Sequence, residues 1–200
     1  MANVASEAGL STGAIYTYVA SKEALLHLVF AVGFGISREL QEIPIPTPPF
    51  DETLRLVKNG LRTSAATPRL SAAVDGLPVD ARAELAEIIE ERYTTLANVW
   101  PLLAVIERSA VDLPEMEALY FQRRRRRHQG ELTTYIEQRV ASGHFRRQVD
   151  ATVAARVVTE TIVWFAWHRR EDRDADLYDD ERALATVIDM LTNALIAPDR

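Results

Sequence analysis

The chain has 200 residues, 48% of them hydrophobic, with a formal net charge of −6 and no cysteine. This apolar fraction supports a packed core and argues against disorder, the missing cysteines exclude disulfides and thiolate chemistry, and no apolar run approaches the roughly 18 residues that span a bilayer. No basic segment followed by an apolar core marks a secretory signal, and a cysteine-free composition fits a cytoplasmic location.

The first elements fall within residues 4–26. Val4, Ala5 and Ala8 give a short helix an apolar side. Gly9 ends it cheaply by supplying left-handed backbone, and Leu10 is placed to pack back under the turn. Ser11 stands at the N-cap of a second helix over 12–19, with Ile15 and Val19 four apart as its inward face. Thr12, Gly13, Tyr16 and Thr17 fall on other sides of that helix. Ser21 is a second N-cap, and Glu23 favours the positive end of the helix that follows. Two helices joined by a glycine turn suit a helix-turn-helix, whose second helix enters the DNA major groove. The alternative is a helical hairpin in which Tyr16 and Tyr18 are packing residues.

Ala8, Gly9, Leu10, Ser11, Gly13, Ile15, Tyr16, Tyr18, Val19, Ser21, Lys22, Glu23 and Leu25 closely resemble the DNA-binding segment of TetR-type transcriptional regulators, over roughly a tenth of the chain. The resemblance implies an all-α protein: a helix-turn-helix DNA-binding segment over 1–27, then a helical ligand-binding and dimerisation domain over 28–200. It implies a DNA-contacting set of Ser11, Thr12, Gly13, Tyr16, Thr17, Tyr18 and Lys22. Thr12 and Gly13 would lie near base edges, and Tyr16 would reach phosphate or a thymine methyl. Thr17 and Tyr18 would add base or phosphate contacts, and Lys22 would hold a phosphate. Such regulators often carry histidine where Tyr18 stands and phenylalanine where Val19 stands, and they vary at Thr17, so no operator sequence carries over. They also resemble one another in having a preceding helix, often after a basic arm. Lys22 is the lone basic residue of 4–26 against Glu7 and Glu23, and roughly 25–35 further residues are expected ahead of Met1.

Periodicity predicts one helix over 21–41, with Leu25, Leu28, Val29, Val32, Ile36 and Leu40 on a stripe. Gly33 and Gly35 mark close packing or a bend, with packing the favoured reading. Residues 43–50 hold Pro44, Pro46, Pro48 and Pro49 and read as a stiff extended loop rather than a docking motif. Asp51 is expected to cap a helix to about Ala66. Pro68, Gly76 and Pro78 break 67–80 into one short helix and turns. Asp80 opens a long helix through Leu85, Ile88, Ile89, Leu96 and Val99, interrupted or kinked at Pro101. Another helix runs from Pro114 to about Ser142, with Gly143 past its end.

That helix contains five consecutive arginines, Arg123 to Arg127. At about 100° per residue they spread around all sides, so no basic stripe forms. At least one should point inward and need an acidic partner or an anionic ligand. Solvated surface plus one structural salt bridge is the favoured reading.

A helix opening at Val149 or Asp150 is apolar over more than one face, through Val153, Val157, Ile162, Trp164 and Phe165, and so must be covered on most sides. Residues 169–180 read as a charged, mobile loop. A final helix over 180–197 puts Leu184, Val187, Ile188, Leu191 and Leu195 on one stripe. The segments 150–170 and 180–197 together suit a four-helix homodimer interface. A dimer would present two recognition helices about 34–36 Å apart to a palindromic double-stranded DNA operator.

The four histidines, His27, His128, His144 and His168, lack metal-ligand spacing, and no catalytic or cofactor motif is visible. The expected function is a ligand-responsive regulator, most often a repressor, released from DNA by a small-molecule effector. Trp100, Tyr120, Phe121, Trp164, Trp167 and His168 are the candidate effector contacts, each of which could equally be ordinary core. The rivals are a helical ligand-binding and dimerisation module without DNA binding, and a helical enzyme.

Overall fold

A computed structural model describes residues 1–36 and 42–198. The protein is all-α: among the described residues the only β pairing is two isolated bridges. It forms two compact units, Met1–Ser64 and Ala65–Arg200.

The first unit holds α1 (Ala2–Glu7), α2 (Thr12–Tyr16), α3 (Lys22–Gly33) and α4 (Phe50–Ser64). The functional boundary expected after His27 falls inside α3, a continuous helix. Gly9 has φ 66° and turns the chain between α1 and α2. Ile15, Val19, Ala5 and Ala24 form a small core, with Met1, Leu25, Leu28 and Ile45 packed against it. Three expectations fail here. Val4 and Ala8 are exposed and Ala5 alone faces inward, because a helix of 6 residues has little more than one inward position. Leu10 is exposed rather than tucked under the turn. α2 stops at Tyr16 instead of Val19.

α3 also departs from the expected stripe. Its buried positions are Ala24, His27, Phe30 and Ala31, while Val29, Val32 and Ile36 are exposed. The reason is α4. His27 Nδ1 and Thr53 Oγ1 are hydrogen-bonded at 2.9 Å, Phe30 stacks on Phe34, and a Cβ at Gly60 would collide with the Phe34 ring. Gly35, at φ 70°, meets nothing where a side chain would stand, so its role is to end the helix rather than to allow close packing. Leu40 and Gln41, expected on the same helix, lie outside the described residues. Asp51 lies within the first turn of α4 rather than at its cap, where it favours the helix dipole and pairs with Arg55 at 3.0 Å.

The second unit holds α5 (Pro68–Val74), α6 (Ala81–Ala110), α7 (Pro114–Glu117), a π-helical segment (Ala118–Arg125), α8 (Arg126–Ala141), α9 (Ala151–Ala166) and α10 (Asp180–Leu195). Asp80 caps α6 through the Arg82 and Ala83 amides at 2.9 and 3.0 Å. The helix runs uninterrupted through Pro101 to Ala110; the proline lies on its exposed side. Asp150 and Asp179 cap α9 and α10 in the same way. Ser142 and Gly143, at φ 80°, end α8.

α9 packs inward through Ala155, Val158, Thr159, Ile162 and Ala166. A second apolar row, Val153, Val157 and Trp164, stays exposed. The connection from α9 to α10, read from its charge as a mobile loop, carries short helical turns. It forms two 3₁₀ turns, His168–Glu171 and Ala175–Leu177, around the buried side chain of Arg169. That guanidinium donates to the Ala175 and Tyr178 carbonyls at 3.0 and 3.1 Å and pairs with Asp180.

Candidate functional site

In the first unit the expected contact residues gather around α2. Ser11 sets the start of that helix, its Oγ accepting from the Ala14 amide at 3.0 Å. Ser21 does the same for α3, accepting from Ala24 at 3.0 Å, and is itself bonded by the Thr47 hydroxyl at 2.6 Å. The proline-rich segment grips the turn between them. The Ile45 amide donates to the Tyr18 carbonyl at 2.8 Å, and the Ala20 amide donates to the Ile45 carbonyl at 2.9 Å. Prolines free this segment from helical demands, so one isolated residue pair is enough to strap the turn.

Fixed from beneath by Ile15 and Val19, the surface leaves Ser11, Thr12, Gly13, Tyr16, Thr17, Tyr18 and Lys22 exposed. Tyr16 is 43% and Tyr18 59% exposed, so neither is the packing residue a plain hairpin would make of it. A Cβ on Gly13 would meet only the Ser11 Oγ at 3.9 Å, which leaves the start of α2 open to an approaching group. Thr17 differs from its neighbours. Its hydroxyl proton is committed to the Ala14 carbonyl at 2.6 Å; a hydroxyl has one proton to give, so Thr17 meets an acceptor-only phosphate less readily than Thr12, Tyr16 or Tyr18. Among the described residues Lys22 is the sole basic side chain on this surface, with Glu7 and Glu23 also exposed.

The second unit does not bring the six candidate effector contacts into one cluster. Tyr120 and Phe121 meet edge to face on the π-helical segment, centroids 5.0 Å apart. Trp167, buried with its indole Nε1 unpartnered, stacks on the exposed His168 at 4.6 Å. Trp164 lies on the exposed row of α9 and touches Phe165 at 4.9 Å. Trp100 is half-buried on α6, and no ring contact joins it to the other five among the described residues.

Around Tyr120 the side chains are instead strongly charged. The arginine run divides as an inward-facing pair, Arg124 and Arg125, and an exposed set, Arg123, Arg126 and Arg127. Arg125 pairs with Glu160 at 3.0 Å and lies over the Phe121 ring at 5.7 Å. Arg127 pairs with Glu131 one turn on at 2.8 Å. Arg124 has only a neutral partner, the Ala65 carbonyl. The geometry differs from an α-helix, because hydrogen bonds reaching five residues widen the turn and bring Tyr120, Arg124 and Arg125 to one side.

Burial, with Arg124 beside it, pulls the Arg92 guanidinium down to about 10, so it stays charged at neutral pH. Burial pushes the Tyr120 phenol up to about 12, Glu107 adding to the effect. Burial and the charges of Arg92 and Arg124 hold His128 near 3, a neutral imidazole at physiological pH. Burial raises Glu107 against the opposing pull of Arg125 and His168.

Elsewhere in this unit a buried arginine is matched by an acid, although its Nη1 is itself buried without a hydrogen-bond partner. Arg139 donates to both oxygens of Glu84 at 2.9 and 3.0 Å and to the Ala73 carbonyl at 2.7 Å. The Tyr135 hydroxyl donates to the same carboxylate at 2.9 Å.

Arg92, Glu107, Arg139 and Glu84 were not singled out by the sequence. For Arg92 a signal existed: it occupies the step between Ile89 and Leu96 on the apolar stripe of α6, where a charge needs an explanation.

No family model matches the chain, and no curated protein matches it significantly.

Proposed function

We propose that this chain is a ligand-responsive transcriptional regulator of the TetR type that binds DNA as a homodimer. The observation that carries the reading is the exposed group Thr12, Gly13, Tyr16, Tyr18 and Lys22, presented by a short capped helix and the turn after it. These are hydroxyl donors, an ammonium and an open backbone position, the chemistry that meets phosphates and base edges. Their match to the TetR-type segment supports the same reading. The exposed row Val153, Val157 and Trp164 on α9, with Met190 exposed on α10, supports a two-fold interface through 150–170 and 180–197. An effector held in the second unit would shift the dimer between DNA-competent and incompetent forms, with a coupling of about 1–3 kcal/mol. The expected setting is the cytoplasm, where such a regulator meets its operator; no helix among the described residues is long and apolar enough to cross a membrane.

A second reading, a ligand-binding and dimerisation module without DNA binding, draws on the net charge of −6 and on Lys22 standing alone. A gel shift separates the two. The full chain is titrated at low salt against duplex from upstream of its own coding sequence and against a random pool carried through selection. A sequence-specific complex is expected, weakened about tenfold by Tyr16→Ala. Lys22→Ala should weaken it on every sequence and lower the salt slope by about one. No specific complex in either pool favours the second reading.

A further inference from the structure

The cationic side chains around Tyr120 are not among the DNA contacts proposed above, and their compensation is one-sided. The carboxylates Glu107 and Glu160 belong to the Arg125 side, where Arg125 is paired at 3.0 Å. Glu160 is also shared with Arg156 at 2.8 Å. On the other side stand Arg92, Arg124 and neutral His128, with no acid among them. Arg92 makes no hydrogen bond or ion pair to any described residue, and its Nε is sealed from solvent without a partner. The adjacent acid, Glu91, is turned to Arg69, whose amide donates to it at 3.1 Å. The Tyr120 hydroxyl donates to none of the described residues and keeps its proton, so it stands between the two sides as a spare donor.

An unpaired guanidinium on an apolar stripe is costly, and a second one beside it adds repulsion. The same unit sets an acid against its two most buried arginines, Glu84 against Arg139 and Asp180 against Arg169. We infer that Arg92, Arg124 and the Tyr120 hydroxyl form a binding centre for an oxyanion, the carboxylate or phosphate group of a small molecule. Guanidinium is the natural partner for such a group, since its planar fork meets two oxygens at once. The π-helical turn that brings Tyr120 and Arg124 together is the kind of irregularity retained at binding sites. Phe121, half-buried and edge-on to Tyr120, offers an apolar contact to the rest of the ligand. If the chain is the regulator proposed above, this group is the handle of its effector; only that consequence rests on that reading, because binding is measured without DNA.

The test is calorimetric titration of the full chain with inorganic phosphate and with benzoate, at constant ionic strength and against chloride. Saturable binding of one anion per chain is expected for at least one of them, and the arm that saturates says whether phosphate or carboxylate is the preferred group. Arg92→Leu should weaken binding by at least about tenfold while raising the melting temperature of the ligand-free protein. Arg126→Leu, on the exposed part of the same run, should leave the affinity unchanged. Should Arg92→Leu fail to fold, Tyr120→Phe gives the same reading with almost no change of volume. No binding beyond that of chloride overturns the inference, as does unchanged affinity in Arg92→Leu or, in its place, Tyr120→Phe.

Discussion

Two residues show how much depends on a neighbour distant in sequence. Gly60 is buried in α4 and faces the Phe34 ring, with no room for a methyl group. Gly60→Ala should therefore destabilise the protein by about 1–3 kcal/mol, even though alanine is the better helix former; urea denaturation would check this, and a stabilised variant would refute the contact. His128 makes a different prediction. Its imidazole is protonated near 6.5 in the unfolded chain but only near 3 in the folded one. The unfolded state thus binds the extra proton as pH falls through that window. The stability that neutral His128 brings is complete above about 6.5 and declines towards 3, by at most about 1.4 kcal/mol per pH unit. His128→Gln should flatten the change in urea midpoint between pH 6.5 and 5, a range above most carboxylate titrations. An unchanged slope would mean that His128 is not the group responsible. The sequence around His128 contains Arg124 but does not foretell the shift, because its first cause is burial and its second the charge of Arg92 on another helix.

At the scale of elements, helix starts are legible, while the stops of α2 and α3 and several buried faces are not. Ser11, Ser21, Asp80 and Asp150 each cap the helix their side-chain chemistry points to, and Gly9 and Gly143 turn the chain just past a helix end. These are contacts over a few residues, so the local sequence contains both partners. The buried face of α3 was misread, because apolar periodicity cannot show that His27 has Thr53 to bond. The turns within 169–180 are hidden in the sequence for the same reason. The charges there look like solvated surface until Arg169 is seen gathering two carbonyls and Asp180. Arg169→Ala should release those turns. Limited proteolysis would then cut within 168–180 in the variant and leave the parent chain intact there; equal resistance of both would show that Arg169 does not hold the segment.

For the whole molecule, the proposed homodimer is the level at which signal and DNA binding would meet. Val157 is exposed at the middle of the α9 row, so Val157→Asp would place a carboxylate in the interface without disturbing the inward face of the helix. Sedimentation is expected to show a dimer for the parent and a monomer for the variant, with helical content unchanged. A variant that remains dimeric would move the interface elsewhere.

The sequence alone determined the helical class, most helix boundaries, and the resemblance of residues 4–26 to a TetR-type segment, because all three are written in short-range patterns of caps, glycines and apolar spacing. Tertiary structure decided which arginines of the run turn inward, that Arg139 meets Glu84 while Arg92 meets no acid, and that the proline-rich segment straps the turn after α2. Such outcomes turn on residues tens of positions apart and on one widened helical turn. Charge compensation is settled by what stands opposite a side chain in space, which no local pattern contains.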